Sequence, residues 1–269
     1  MENVTKVHIG DKEIILVATA HVSRESVDLV KQVIEEERPD SVCIELDDER
    51  YSNMRNPQAW EKTDIVNVIK SKRVGYMLAN LALSSYQKKV AKNLNTNVGG
   101  EMLQSIESAN EIGAELVMAD RNIQTTFMRI WRKMNLIEKV KLLFSLFFSL
   151  DDDEEITDET LEELLKQDML ESAMSALKAE FPKIGDILIH ERDQHLASKI
   201  KDAPGPLVVA VLGGAHVPGI TRALKSEKGP ASAESLTALP PKSPWGKIIG
   251  WGIPAVIMAL IIYGFATNL

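Results

Sequence analysis

The sequence predicts an α/β fold with a central, largely parallel sheet, an N-terminal hairpin and surrounding helices. Three observations carry that expectation. Two apolar runs, Ile14 to Thr19 and Val208 to Leu212, stop at small residues and reach a histidine shortly afterwards, His21 and His216. Short apolar runs bounded by turn residues are the pattern of strands buried on both faces. A third run, Ser41 to Leu46, follows a stretch of helical periodicity, which is the βαβ pattern of parallel pairing. In open sheets of this kind ligands bind in the crevice outside the carboxyl ends of the strands, where both histidines are therefore expected.

Taken in order, Val4 to Ile9 and Glu13 to Thr19 alternate as strands, and Gly10-Asp11 between them is a hairpin turn signal. Ser23 can cap a helix running through Glu37, with Val27, Val30, Val33 and Ile34 on one face, and Pro39-Asp40 ends it. The strand Ser41 to Leu46 carries Glu45, a carboxylate where a core residue would be expected. Asp47 to Tyr51 opens a polar helical stretch, and residues 64–69 and 74–94 predict more helix. Glu101 to Ile112 reads as a helix closed by Gly113, and Ala114 to Ala119 as a strand that runs into Asp120-Arg121-Asn122.

Ile123 to Leu150 reads as one helix whose Val140 to Leu150 part is strongly apolar yet, at 11 residues, too short to span a bilayer. Packing on the domain, pairing with another subunit and lying on a bilayer all fit it. The acidic run Asp151 to Glu155 predicts a solvated loop before helices at 157–166, 168–180 and 184–200, and Leu207 to Leu212 is the last strand. Ser226 to Pro244 is rich in Ser, Ala, Pro and Gly. Residues 1–225 thus read as one domain with a helical insertion at about 123–180, residues 226–246 as a linker, and 247–269 as a transmembrane segment.

That last expectation rests on Ile248 to Ala266, 19 residues without a charge, with Trp245, Trp251 and Tyr263 near its two ends. Arg222, Lys225, Lys228, Lys242 and Lys247 precede it and no basic residue follows, which places the large domain on the cytoplasmic side. The polar start Met1 to Lys6 lacks the features of a signal peptide. A net charge of −8 argues against a nucleic-acid partner, and the single Cys43 against a disulfide framework or cysteine zinc site.

His190-Glu191-Arg192-Asp193-Gln194-His195 imitates a zinc-protease helix, but histidines five apart lie roughly 140° away from a common face. His21, Glu45 and His216 differ, since each follows or ends its own strand. Two imidazoles and a carboxylate suit Zn²⁺, Mn²⁺, Co²⁺ or Fe²⁺, with positions left for water and substrate. The spacing is equally met by two hydrogen-bonded loop histidines.

Thr19-Ala20-His21-Val22-Ser23, Ile44-Glu45-Leu46-Asp47, Ala119-Asp120-Arg121-Asn122, Glu191-Arg192-Asp193 and Gly213-Gly214-Ala215-His216-Val217 follow one another along the chain. With these motifs, residues of about 4–225 resemble the TraB/PrgY family, which is grouped with the TIKI metalloproteases and the GumN and erythromycin-esterase-like proteins. The resemblance implies an α/β domain with a metal centre built from paired G-x-x-H motifs and a strand-end Glu. It also implies an apolar C-terminal tail, a link to the shutdown of peptide pheromone signals, and peptide cleavage with Mn²⁺ or Co²⁺ as in the TIKI relatives. Carried onto this chain, it gives His21, Glu45 and His216 as metal ligands and Glu45, Arg121, Glu191 and Arg192 as catalytic residues, with Ala18 standing where the first motif has glycine. The expected protein is a membrane-anchored metal-dependent hydrolase using Mn, Co or Zn, with Glu191 or Glu45 as base and a peptide or signalling protein as substrate. The rival expectation is a non-catalytic membrane protein that sequesters a peptide or partner. Self-association stays open.

Overall fold

The computed structural model describes residues 3–19, 24–55, 99–149, 175 and 178–241. His21, the helices expected at 64–69, 74–94 and 157–166, most of that at 168–180, and the uncharged run 248–266 lie outside the described residues. Among the described residues no helix is long and apolar enough to cross a membrane.

Strands β1 (Val4–Ile9) and β2 (Lys12–Thr19) form the expected antiparallel hairpin, with Gly10 at φ 57° in its turn. Helix α1 (Arg24–Glu37) leads to β3 (Ser41–Ile44), and α2 (Asp48–Arg55) follows. Helix α3 (Gly100–Ile112) ends at Gly113, φ 74°, and returns the chain to β4 (Glu115–Met118). The last strand, β5 (Leu207–Gly213), inserts between β2 and β3 and pairs parallel with both, so the order is β1-β2-β5-β3-β4.

Alternation of side chains along these strands divides the core into two layers. Ile14, Leu16, Cys43, Ala210 and Leu212 face helices that contribute Leu196, Ile200 and Ile220. Ile15, Val17, Ile44 and Val211 face Val30, Val33 and Ile34 of α1 and Met102 and Ile106 of α3. Each fully buried Val, Leu or Ile stabilises by about 1.5–3 kcal/mol. Because the central strands are apolar on both faces, burial alone distinguishes registers poorly. Polar groups pin the carboxyl ends instead: Thr19 Oγ1 donates to Leu212 O at 3.1 Å, and Gly213 N donates to Glu45 Oε2 at 2.7 Å.

Three elements differ from expectation. The single helix expected over 123–150 is two, α4 (Ile123–Lys133) and α5 (Leu136–Ser149). Asn135 and Glu138 form a reciprocal cap at the break, Glu138 N donating to Asn135 Oδ1 at 2.8 Å and Asn135 N to Glu138 Oε2 at 2.7 Å. The helix expected over 184–200 is α6 (Pro182–Gly185), a π-helical turn Asp186–His190, and α7 (Glu191–Asp202). The extra residue per turn re-aims the side chains that follow it.

The stretch expected to be a linker is partly folded onto the domain. After α8 (Val217–Lys225), a short helix α9 (Ala233–Thr237) buries Leu236. The backbone carbonyls of Leu236, Ala238 and Pro240 accept hydrogen bonds from Arg121, Arg129 and Arg132, respectively. A composition rich in small residues carried no sign of these partners, which come from other elements.

Candidate functional site

Glu45 leaves the ladder one residue beyond β3, and Asp120 lies two residues beyond β4. His216 closes the 3₁₀ turn Gly214–His216 that follows β5. The start of α7 supplies Arg192 and Asp193 from the facing layer. The carboxyl ends of β3, β4 and β5 therefore meet one helix start, in the crevice expected from the topology.

Arg192 is the centre of this group. Its Nε and Nη2 clamp Asp120 in a bidentate pair, at 2.9 Å to Oδ1 and 2.7 Å to Oδ2. The same Nη2 donates to Glu45 Oε1 at 2.5 Å, and Nη1 lies 3.1 Å from His216 Nε2. The other ring nitrogen, His216 Nδ1, lies 2.6 Å from Asp193 Oδ1. A carboxylate there accepts a hydrogen bond from Nδ1–H, which keeps the proton on Nδ1 and leaves the Nε2 lone pair facing Arg192 and Glu45, whose Oε1 is 3.7 Å away.

Glu45, Asp120 and Asp193 are all buried, so three carboxylates surround one engaged guanidinium. Arg50 adds a looser, half-exposed contact to Asp120 Oδ2 at 3.4 Å. Burial pushes the Asp120 carboxyl up and the Arg192 charge beside it pulls it down further, for a net fall. Burial disfavours the Arg192 charge, but Asp120 and Glu45 outweigh it and hold the guanidinium more firmly protonated than usual. The site keeps an excess of negative charge.

Arg121 and Glu191 occupy a second, neighbouring cluster. Glu191 Oε2 accepts from Arg121 Nη1 at 2.9 Å and Arg129 Nε at 2.8 Å, and Oε1 accepts from Arg129 Nη2 at 3.0 Å and Lys133 Nζ at 2.5 Å. Burial raises the Glu191 carboxyl, but hydrogen bonds from Arg129, Lys133 and Arg121 outweigh it and bring it down to about 2. A carboxylate so engaged is a poor proton acceptor at neutral pH, which leaves Glu45 as the better placed of the two expected bases. Because the folded value lies below the ordinary 4.5, the stabilisation from Glu191 is complete above about pH 4.5 and is lost as the pH falls towards 2. Acid titration followed by circular dichroism is expected to show that loss, and Glu191→Gln to flatten it within the same window.

The hexad from His190 to His195 is no surface ion-pair cluster, since Glu191, Asp193 and His195 are buried. His190 is exposed while His195 is buried, in keeping with their separation around the helix. Burial, aided by the Arg121 charge, pushes the His195 imidazole down to about 4, and its Nδ1 finds no hydrogen-bond partner among the described residues.

Asp120, Asp193 and Arg129 were not in the set expected from sequence. Asp120 was visible as a charged residue at a strand end. Asp193 adjoins Arg192 at the start of a helix, where neighbours 100° apart can reach the same crevice. Arg129 gave no signal, because Ile123, Phe127 and Trp131 argue that the opposite face of α4 should be the buried one.

Glu45 and His216 suit a divalent cation in chemistry and spacing, with Asp193 as the outer carboxylate that orients the imidazole. Among the described residues no group of three His, Cys, Asp or Glu side chains forms a cluster of metal-binding shape, and His21, the third ligand expected from the sequence, lies outside them. The Arg192 guanidinium engages both donors, Nη1 at His216 Nε2 and Nη2 at Glu45 Oε1, so an ion there requires both to move aside while Nε keeps its hold on Asp120.

A sequence profile of the TraB/PrgY/gumN family matches residues 3–229. The chain is similar to the uncharacterized protein MJ1365 of Methanocaldococcus jannaschii, with 29% identity over 260 residues covering 95% of this chain and 65% of that protein. It is also similar to the TraB domain-containing protein of Bos taurus, 26% identical over 275 residues covering 93% of this chain and 71% of that one. For the TraB domain-containing protein of Homo sapiens the identity is 25% over 274 residues, covering 92% and 71%. The chain thus spans 65% of the length of its archaeal relative.

Proposed function

The chain belongs to the TraB/PrgY/gumN family, and from that premise we propose that it is a membrane-anchored, metal-dependent hydrolase acting on a small peptide or signalling protein. The observation that carries this reading is the Asp193–His216 pair, whose Nε2 lone pair is turned towards Arg192 Nη1 and Glu45. In this reading His216, Glu45 and His21 hold an Mn, Co or Zn ion, and the domain lies on the cytoplasmic side of the membrane. When bound, such an ion lowers the pKa of a coordinated water and polarises a carbonyl.

The chain's own groups do the rest. Asp193 keeps the proton on His216 Nδ1 and so keeps Nε2 available. The Gly213 N–H fixes Glu45 Oε2, which leaves Oε1 as the oxygen that meets ligand or takes up a proton. Arg192, freed at Nη1 and Nη2, donates to the substrate oxygen on which negative charge develops, while Asp120 keeps it in place through Nε. Arg121 and Glu191 support the start of α7 from behind.

A second reading, of another class, is favoured by the position of Arg192. The guanidinium supplies a cation to Glu45 and Asp120 by itself, as a site that binds a peptide or partner without turnover would need. Elemental analysis of the full chain purified in detergent without chelator separates the two. The hydrolase reading expects a stoichiometric divalent ion that is lost in His216→Ala and in Glu45→Gln, together with ion-dependent cleavage of a peptide library. Peptide capture with neither ion nor cleavage would establish the sequestering reading in its place.

A further inference from the structure

Helix α4 is turned inside out relative to its sequence. Its Thr126 and Arg129 are buried, the latter against Glu191, while Ile123, Phe127 and Trp131, spaced four apart, stand on the open side. Phe127 is 59% exposed. The stripe continues onto α5, where Leu136, Ile137 and Val140 are exposed, Ile137 at 79%. The corner between the two helices is seated by Met134, packed with Phe181 and Ile184, so the outward turn of the stripe is built into the fold. A contiguous exposed apolar surface of this kind marks a contact with something else.

Two features on the same helices say what that is. Arg132, Lys139 and Lys141 lie within residues 123–142 beside Arg129 and Lys133, which Glu191 engages, and Glu138 is the one acid of this stretch, in a chain whose net charge is −8. Of these, Lys139 lies over the Trp131 ring at 5.1 Å, at the edge of the apolar stripe. Aromatic and aliphatic residues flanked by Lys and Arg are the pattern of helices that lie in the headgroup region of an anionic bilayer. The second feature is the attachment of residue 240 to α4: Arg132 Nη1, next to Trp131 in the sequence, donates to Pro240 O at 2.8 Å. Eight positions later in the sequence, Ile248 begins the 19 residues without a charge.

We infer that the α4–α5 face, with Phe127, Trp131 and Ile137 at its centre, is a lipid-docking surface that lays the domain on an anionic membrane. This rests on the membrane-anchored reading of the chain and adds to it a second, interfacial contact that fixes the orientation of the domain. Aromatic and aliphatic side chains enter the headgroup layer, Lys139 and Lys141 meet lipid phosphates, and the Arg132–Pro240 bond holds residue 240 beside α4.

The test uses the full chain with an environment-sensitive fluorophore at Ile137→Cys, and at the exposed Glu111→Cys on α3 as control. The native Cys43 is buried and does not compete for label. The labelled proteins are reconstituted into vesicles of phosphatidylcholine with phosphatidylglycerol and separated by flotation. The expected result is co-flotation, with emission at position 137 shifted to the blue and quenched by a lipid-borne quencher, while position 111 stays water-like. Co-flotation with a water-like signal at 137 would overturn the docking surface and leave the anchor standing. Failure to float would overturn the membrane reading and this inference with it. A blue-shifted 137 signal already present before lipid is added would assign the face to another segment or a second copy of the chain, and overturn the lipid proposal.

Discussion

Glu191→Ala lowers the midpoint of thermal unfolding by roughly 10 °C, since removing one partner of a buried ion cluster costs about 3–5 kcal/mol and each kcal/mol is worth about 2–4 °C in a domain of this size. The cost arises from what remains. Arg121, with no exposed side-chain surface, and Arg129, at 8%, lose the carboxylate that both of them share. Their remaining acceptors are Thr126 Oγ1 and backbone carbonyls, Leu236 and Ile187 for Arg121 and Ala238 and Ser235 for Arg129. Neutral acceptors do not compensate a buried positive charge. The same change loosens the 232–240 segment, because the two arginines that hold its carbonyls are oriented by Glu191. Limited proteolysis should therefore cut between Ser232 and Pro240 sooner in the variant than in the parent chain. A variant with unchanged midpoint and unchanged cleavage, but without peptide hydrolysis, would return Glu191 to the role of base that the sequence motif gave it.

The motif Glu191-Arg192-Asp193 shows which parts of the fold are legible in a sequence and which are not. The sheet was readable because burial on both faces leaves continuous apolar runs, and because β3, β4 and β5 are each followed within three positions by a residue that a core would not choose, Glu45, Asp120 and His216. The placement of Glu45 and His216 in one crevice followed from topology alone. The partners of the motif did not. Three adjacent residues on a helix point 100° apart, so one motif serves two clusters: Arg192 and Asp193 turn to the strand ends, and Glu191 turns to α4. No local pattern chooses between these directions. The π-helical turn Asp186–His190 just before them shifts the phase of α7, and a periodicity that assumes a regular helix over 184–200 misses that shift. The buried face of helix α4 is hidden from its sequence for a related reason. Its apolar stripe is strong, but Glu191 draws Arg129 inward, and a buried carboxylate with three cations around it outweighs the usual tendency of the stripe to face the core.

Asp193→Asn is expected to reduce metal affinity and peptide turnover by about 10–100-fold, the usual effect of losing the outer carboxylate of a histidine ligand. Folding should be preserved, because asparagine fills the same volume. The amide can turn its NH₂ towards His216 Nδ1, which moves the ring proton to Nε2 and sets it against the Arg192 Nη1–H at 3.1 Å. The site then presents two donors where one donor and one lone pair met. Gly219→Ala probes the same contact from the opposite side. A Cβ at position 219 would lie 1.8 Å from Asp193 Oδ2 and 2.5 Å from its Cγ, closer than any two unbonded atoms can approach, so the carboxylate must leave or α8 must shift. Since Gly219 is in the first turn of α8 and that helix is packed by Ile220 and Leu224, the carboxylate is the group that gives way. Gly219→Ala should thus match the loss of function of Asp193→Asn and add a loss of stability that Asp193→Asn does not show. Within the hydrolase reading kcat falls with KM nearly unchanged, because the imidazole serves the reaction and not the binding of the peptide. Wild-type metal affinity and turnover in Asp193→Asn would make Asp193 only a spacer between α7 and α8, and would remove the oriented imidazole on which the proposed chemistry depends.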